Sequence, residues 1–176
     1  MKAQGMGAVL HAAGTTFRVW APHAIAVFVK GDFNGWDDNA CPMALEDNGV
    51  WAVDVAQVRA GARYKFRLVC GDQVFDRIDP YAKEVTNSVG CAVVVDPARF
   101  DWGNASFKAP SNNELVIYEM HIGSFNATAN GPGTLESALQ RLPHLKSLGV
   151  NAIEVMPLAE FAGDTLGATT RRTCVR

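Results

Sequence analysis

Residues 15–37 read TTFRVWAPHAIAVFVKGDFNGWD, and this stretch decides the fold. Residues 15–21 and 24–30 are two runs rich in β-branched and aromatic side chains, with Pro22 between them. Such side chains suit a pleated, half-buried surface, and a proline belongs between strands rather than inside one. Asn34-Gly35 follows the second run at once, and that pair favours a tight turn with positive φ. The same pattern continues downstream. Residues 50–55 (VWAVDV) and 64–69 (YKFRLV) alternate, and residues 92–96 (AVVVD) form a short buried run. Asn48-Gly49, Ala60-Gly61, Gly71-Asp72 and Asp79-Pro80 punctuate them as turns. Short strands at this spacing predict an all-β sandwich over residues 1–100.

The pattern changes after about residue 100. Residues 101–113 (DWGNASFKAPSNN) are rich in turn formers and read as a linker. Residues 114–121 (ELVIYEMH) read as a strand. Residues 134–148 carry Leu135, Ala138, Leu139, Leu142, Leu145 and Leu148 at helical spacing, with Thr134 as N-cap and Gly149 as the stop. Pro143 lies inside that helix, where a proline costs about 3 kcal/mol and predicts a kink. Residues 151–158 (NAIEVMPL) read as another strand. Strand, helix, strand is a βαβ unit, which implies parallel strands and a right-handed crossover. So short a unit is expected to leave Ile117, Met120, Ile153, Val155 and Met156 uncovered.

The composition is that of a globular protein: 176 residues, 48% hydrophobic and 19% charged. A net charge of −2 argues against a nucleic-acid partner or a polybasic membrane binder. The apolar runs are short blocks, too short to span a bilayer. The N-terminal residues MKAQGMGAVLHAAG are too weakly apolar for a secretory signal, so the protein is expected in the cytoplasm. The four cysteines, Cys41, Cys70, Cys91 and Cys174, have no CxxC and no metal-type spacing. They read as free thiols, and no metal or cofactor is expected.

Taken as a set, FRVWAP, VFVKGDFNGWD, VWAVDV, RYKFRL and DPYAKEV resemble the glycogen-binding sandwich that precedes the barrel in branching and debranching enzymes. Residues 116–125 (VIYEMHIGSF) and 142–161 (LPHLKSLGVNAIEVMPLAEF) resemble the first strand, first helix and second strand of the α-amylase-family barrel, closest to branching enzymes and to maltooligosyltrehalose trehalohydrolases. The resemblance implies an immunoglobulin-like sandwich and then the first βαβ unit of an incomplete (β/α)8 TIM barrel over residues 114–164. It implies retaining glycosyl transfer on α-glucans such as glycogen, starch or maltooligosaccharides, with a hydrolase or a non-catalytic glucan-binding module as alternatives. The family's nucleophilic Asp, its Glu acid/base and its supporting Asp are expected beyond Arg176, so no catalytic residue is assigned here. Residues 165–176 read as an out-of-frame tail. One extra base before a permissible codon choice for Leu166–Cys174 rereads as Ser-Trp-Gly-Tyr-Asn-Pro-Ala-His-Leu, the family continuation.

The resemblance also nominates site residues. In stand-alone relatives of the sandwich, the Trp of the FNxW turn and the Lys of the YKF strand contact α-glucan, and the matching residues are Trp36 and Lys65. The indole face of Trp36 suits the apolar face of glucose, with its N–H expected free for a hydroxyl. The other reading is that Trp36 caps the sandwich core and Lys65 is a solvated strand residue. A second sugar-stacking Trp of those relatives is missing, since Gly71-Asp72-Gln73-Val74-Phe75 stands there. Trp20 and Trp51 read as core or interdomain packing. Glu119, His121 and Glu154 invite an acid/base reading, but the family places no catalytic carboxylate on these strands, so they are expected to fix loops.

Overall fold

The structure is a computed structural model. It describes residues 3–103 and 106–158 and, for the backbone alone, 165–166 and 169–170. Those last four residues form one short antiparallel pair; the out-of-frame reading of residues 165–176 otherwise lies outside the described residues. The chain divides into two compact units, residues 1–100 and 101–176.

The first unit is a β-sandwich. One sheet has the order β1-β2-β5-β4, built from β1 (Gly7–His11), β2 (Gly14–Trp20), β4 (Ala44–Leu45) and β5 (Val50–Ala56). The other has the order β3-β6-β7, built from β3 (Ala26–Gly31), β6 (Arg63–Cys70) and β7 (Gln73–Arg77). β8 (Ala92–Val93) pairs with Arg63 and Tyr64, the part of β6 that β7 leaves unpaired. Every pairing in the two sheets is antiparallel.

Alternation along the strands sets the core. Phe17 and Val19 from β2, Val27 and Val29 from β3, Trp51 from β5, and Tyr64 and Phe66 from β6 are buried together, with Val53 and Leu68 packed at their margin. Aromatic contacts join the sheets. Phe17 meets the edge of Tyr64 at 4.9 Å between centroids, and Phe33 stacks on Phe17 at 5.4 Å. Pairs of this kind add about 0.5–1.5 kcal/mol each beyond burial of area.

Tyr64 is held from a second direction. Its hydroxyl donates to Oδ2 of Asp79 at 2.6 Å, and the Tyr81 amide donates to Oδ1 at 2.8 Å. Asp79, read from sequence as a mere turn signal, is 3% exposed. Burial pushes its carboxyl above the usual range, against the two hydrogen bonds that hold it down. Gly7 completes the junction. It has φ 78°, and a Cβ there would lie 3.0 Å from Asp79 Oδ2 and from the Cβ of Tyr81.

The second unit has a parallel pair of strands, β9 (Ile117–Met120) and β10 (Ala152–Val155), with Ala152 opposite Ile117 and Val155 opposite Met120. The single kinked helix expected over residues 134–148 is instead two, α1 (Leu135–Leu139) and α2 (Leu142–Ser147). The break falls at Gln140 and Arg141, which puts Pro143 in the first turn of α2. A first-turn proline has no intrahelical N–H bond to lose. The N-cap reading holds, since Thr134 Oγ1 accepts from the Ser137 amide at 3.1 Å. Met120, expected to be uncovered, is instead buried with Ile122, Ala138 and Leu145, because the two helices close over that face. Ile117, Ile153, Val155 and Met156 are exposed, as expected. Strand, helices and parallel strand are thus present, and the described residues of this unit form a two-stranded sheet rather than a closed barrel.

The Tyr64–Asp79 junction makes the first prediction. Tyr64→Phe leaves a buried carboxylate short of a donor and should cost about 1–3 kcal/mol. Asp79→Asn should behave differently with pH. A carboxyl raised by folding favours the native state below its ordinary pKa, near 3.9, and that contribution is lost as pH rises through the native value. The stability of Asp79→Asn relative to wild type should therefore rise from pH 4 to pH 8, read by urea unfolding. A difference independent of pH would contradict the assignment.

Candidate functional site

The site is built on the turn that ends β3. The Gly31 amide donates to Asn34 Oδ1 at 2.9 Å, and Asn34 Nδ2 donates to the Val29 carbonyl at 3.1 Å, so the Asn side chain closes the loop on its own strand. After the single 3₁₀ turn Asp32–Asn34, Gly35 takes φ 63° and Trp36 takes φ 64°. The left-handed region is cheap for glycine and costs a residue with a Cβ about 1–2 kcal/mol. Strain of this sort persists where neighbouring contacts over-determine it, and here they do. The Trp36 amide donates to the Gly31 carbonyl at 3.0 Å, and its indole Nε1 donates to Asp32 Oδ1 at 3.1 Å. Trp36 is half-buried, so part of the ring faces out. The indole N–H, expected free for a sugar hydroxyl, is already taken by Asp32.

Asp32 is tied in turn to β6. Its Oδ2 accepts from the backbone N–H and from Nε of Arg63, both at 3.0 Å, and Oδ1 accepts from Nη2 at 3.0 Å. The Arg63 side chain, with smaller help from its backbone N–H and from Trp36, holds the Asp32 carboxyl down to about 2 against some desolvation.

Lys65 lies on the same strand. The register pairs Gly31 with Tyr64 and Lys30 with Lys65. Trp36, anchored on Gly31, and Lys65 therefore belong to the same end of the β3–β6 pair. The Lys65 ammonium donates to the Val89 carbonyl at 3.2 Å. Val89 is 79% exposed at the tip of a loop closed by the Thr86 amide on the Cys91 carbonyl. Beside Lys65 the charges are paired. Lys30 bridges Asp38 at 2.7 Å and Asp76 at 2.6 Å, and Arg67 bridges Asp38 at 2.8 Å. Asp38, two residues beyond Trp36, thus fastens the far side of the loop to both strands.

The other candidates separate. Trp51 is core, with its indole donating to the Ala21 carbonyl. Trp20 is not core: it is 60% exposed, and its indole donates to the Asn48 carbonyl at 3.0 Å. Where the second tryptophan is missing, Val74 is exposed and the Arg77 guanidinium lies 4.7 Å from the centre of the Phe75 ring. In the second unit, Glu119 and Glu154 stand opposite each other in the β9–β10 register. An open depression of about 580 Å³ is lined by Glu119 and His121 together with Tyr118, Arg141 and His144. His121 Nδ1 accepts from the Ser124 amide at 3.0 Å, which is loop fixing. Among the described residues no cluster of three His, Cys, Asp or Glu side chains could hold a metal, and no helix is long and apolar enough to cross a membrane.

Comparison with known proteins gives this geometry a class. Residues 5–82 match carbohydrate-binding module 48, the isoamylase N-terminal domain. The chain is 36% identical over 163 residues to the 1,4-alpha-glucan branching enzyme GlgB of Corynebacterium jeikeium, covering 88% of this chain and 22% of that protein. It is 38% identical over 170 residues to GlgB of Lactiplantibacillus plantarum, covering 90% and 27%. A solved structure described as an alpha amylase from Salmonella typhimurium superposes with a TM-score of 0.78 at 35% identity, covering 93% of this chain and 26% of that one. Pullulanase type I from Bacillus subtilis, complexed with maltose, superposes with a TM-score of 0.68 at 30% identity, covering 93% and 25%. Residues 5–82 are therefore a carbohydrate-binding module of this type. Over most of its length the chain is similar to 1,4-alpha-glucan branching enzymes, and it spans about a quarter of the length of these relatives.

The Asp32 clamp makes the second prediction. A carboxyl depressed by folding contributes stability above its ordinary pKa, near 3.9, and that contribution is lost as pH falls through the native value, here about 2. The Trp36 indole N–H resonance should stay fixed from pH 7 to about 4 and move only below it. A shift centred above pH 4 would show that Arg63 does not hold this carboxylate.

Proposed function

We propose that this chain is the glucan-binding front part of a 1,4-α-glucan branching enzyme. Residues 1–100 take an α-glucan (glycogen, starch or a maltooligosaccharide) on the outer face of the β3–β6 pair. The apolar face of a glucose ring stacks on Trp36, and the Lys65 ammonium donates to a sugar oxygen. The observation that carries this is the strained, over-determined Trp36 turn, set at the same end of the sheet as Lys65. A tryptophan needed only to cap a core would not require a left-handed backbone with its ring still half-open. Residues 101–113 are the linker, and residues 114–164 open a (β/α)8 barrel, a reading supported by the parallel β9–β10 pair across two helices.

The proposed reaction cuts an α-1,4 link and rejoins it as α-1,6 through a covalent glycosyl intermediate. Its three carboxylates belong to later barrel strands, so this chain by itself should neither branch nor hydrolyse. We place the protein in the cytoplasm, in keeping with the free thiols at Cys41, Cys70 and Cys91; its net charge of −2 gives no reason for a nucleic-acid partner. A debranching hydrolase is the second reading, favoured by the likeness to pullulanase. It differs in using water rather than a sugar hydroxyl as acceptor.

Affinity electrophoresis through glycogen-containing gels tests the binding reading. The wild-type chain should be retarded. Trp36→Ala should lose up to about tenfold in affinity, since one aromatic contact is worth about 0.5–1.5 kcal/mol. Lys65→Ala should be weakened as well. A folded wild type that runs as in a plain gel would overturn the assignment. Amylose stained with iodine tests the rest, because turnover by this chain would show that the chemistry has been misplaced.

A further inference from the structure

We propose that Asp32 and Arg63 are positioning residues for glucan stacking, Asp32 gripping the indole N–H of Trp36 while Arg63 grips Asp32. The proposal rests on the reading that Trp36 is the stacking surface. An indole on a loop rotates about two side-chain torsions, and a ring that must be ordered on binding gives up part of its contact energy to that ordering. Here the ordering is done in advance. Arg63 brings three donors, its backbone N–H, Nε and Nη2, to one carboxylate, each at 3.0 Å. The planar fork of arginine fits a carboxylate in this two-pronged way, which a lysine cannot copy. The carboxylate is thereby fixed to the β6 backbone, and its Oδ1 fixes Nε1 of Trp36 at 3.1 Å. The loop cannot swing away on its other side, where Asp38 is paired with Lys30 and Arg67.

Two consequences follow for recognition. A glucan meets Trp36 through the ring face alone, because the N–H is already spent on Asp32. Trp36→Phe, which keeps a flat ring but offers no N–H, should then lose affinity much as Asp32→Ala does.

The test uses the full chain and maltoheptaose. Asp32→Ala should lower affinity about threefold to tenfold, within the reach of one aromatic contact. Added to Trp36→Ala it should cost nothing more, since residues that act through one group are not additive. Arg63→Lys, which keeps the charge and loses the fork, should fall between wild type and Asp32→Ala. Relaxation of the Trp36 indole N–H without sugar supplies a separate readout. Its order parameter should drop from the rigid range, about 0.85, toward about 0.6 in Asp32→Ala, while the Trp51 indole stays unchanged and shows that the sandwich is folded. An indole that stays rigid in Asp32→Ala overturns the clamp. An indole that loosens with affinity unchanged, or a full further loss in the double variant, overturns the positioning role. A wild type that ignores maltoheptaose while Asp32→Ala still loosens the ring overturns the glucan reading and leaves the clamp as structure alone.

Discussion

The hydroxyl of Tyr64 reaches the buried carboxylate of Asp79 at 2.6 Å, and the orientation of β6 follows from that contact. Side chains alternate along a strand, so a slip of one residue would turn every one of them to the other face. With Tyr64 held inward between Asp79 and the edge of Phe17, Arg63 and Lys65 must point outward. Arg63 then finds Asp32, and Lys65 finds the Val89 carbonyl. The candidate site is in this sense the outer side of a core constraint. The constraint has its own cost, because a carboxyl is kept out of water and a glycine is needed at Gly7 to leave it room.

The legible part of the fold was the part governed by alternation. β2, β3, β5 and β6 fall within a residue or two of the runs read from the sequence. β1, β4 and β7 were not read. β4 has two residues, β7 (QVFDR) is a mostly exposed edge strand, and β1 (GAVLH) is a part-buried edge strand whose apolar residues run together without alternating. Pairing with a neighbour makes them strands, and pairing partners are remote in sequence. Pro143 misled in a different way. Its presence in the helical run was plain, but the helix resolved it by starting again at Leu142, where a proline fits.

The site was legible by residue type and not by hydrogen bonding. Asn34-Gly35 announced a left-handed turn, and the structure carries that conformation one residue further, onto Trp36. The fate of the indole N–H was hidden because it depends on Asp32, whose carboxylate is placed by Arg63, 31 residues away. One signal was available: an acid four residues before the tryptophan, and an Arg next to the tyrosine of the later strand. In the second unit the exposed Ile117, Ile153, Val155 and Met156 suit a chain that matches about a quarter of its relatives' length.

A chain with tryptophans at 20, 36, 51 and 102 carries its own reporters, so ¹H–¹⁵N spectra of the indole groups during titration with maltoheptaose test the account most directly. Stacking on the ring face should move the Trp36 signal and leave the buried Trp51 signal where it is, while Trp20, on the other sheet, stays unmoved. If Trp20 or Trp102 moved and Trp36 did not, the glucan surface would lie elsewhere on the chain and the account built on the β3 turn would be wrong.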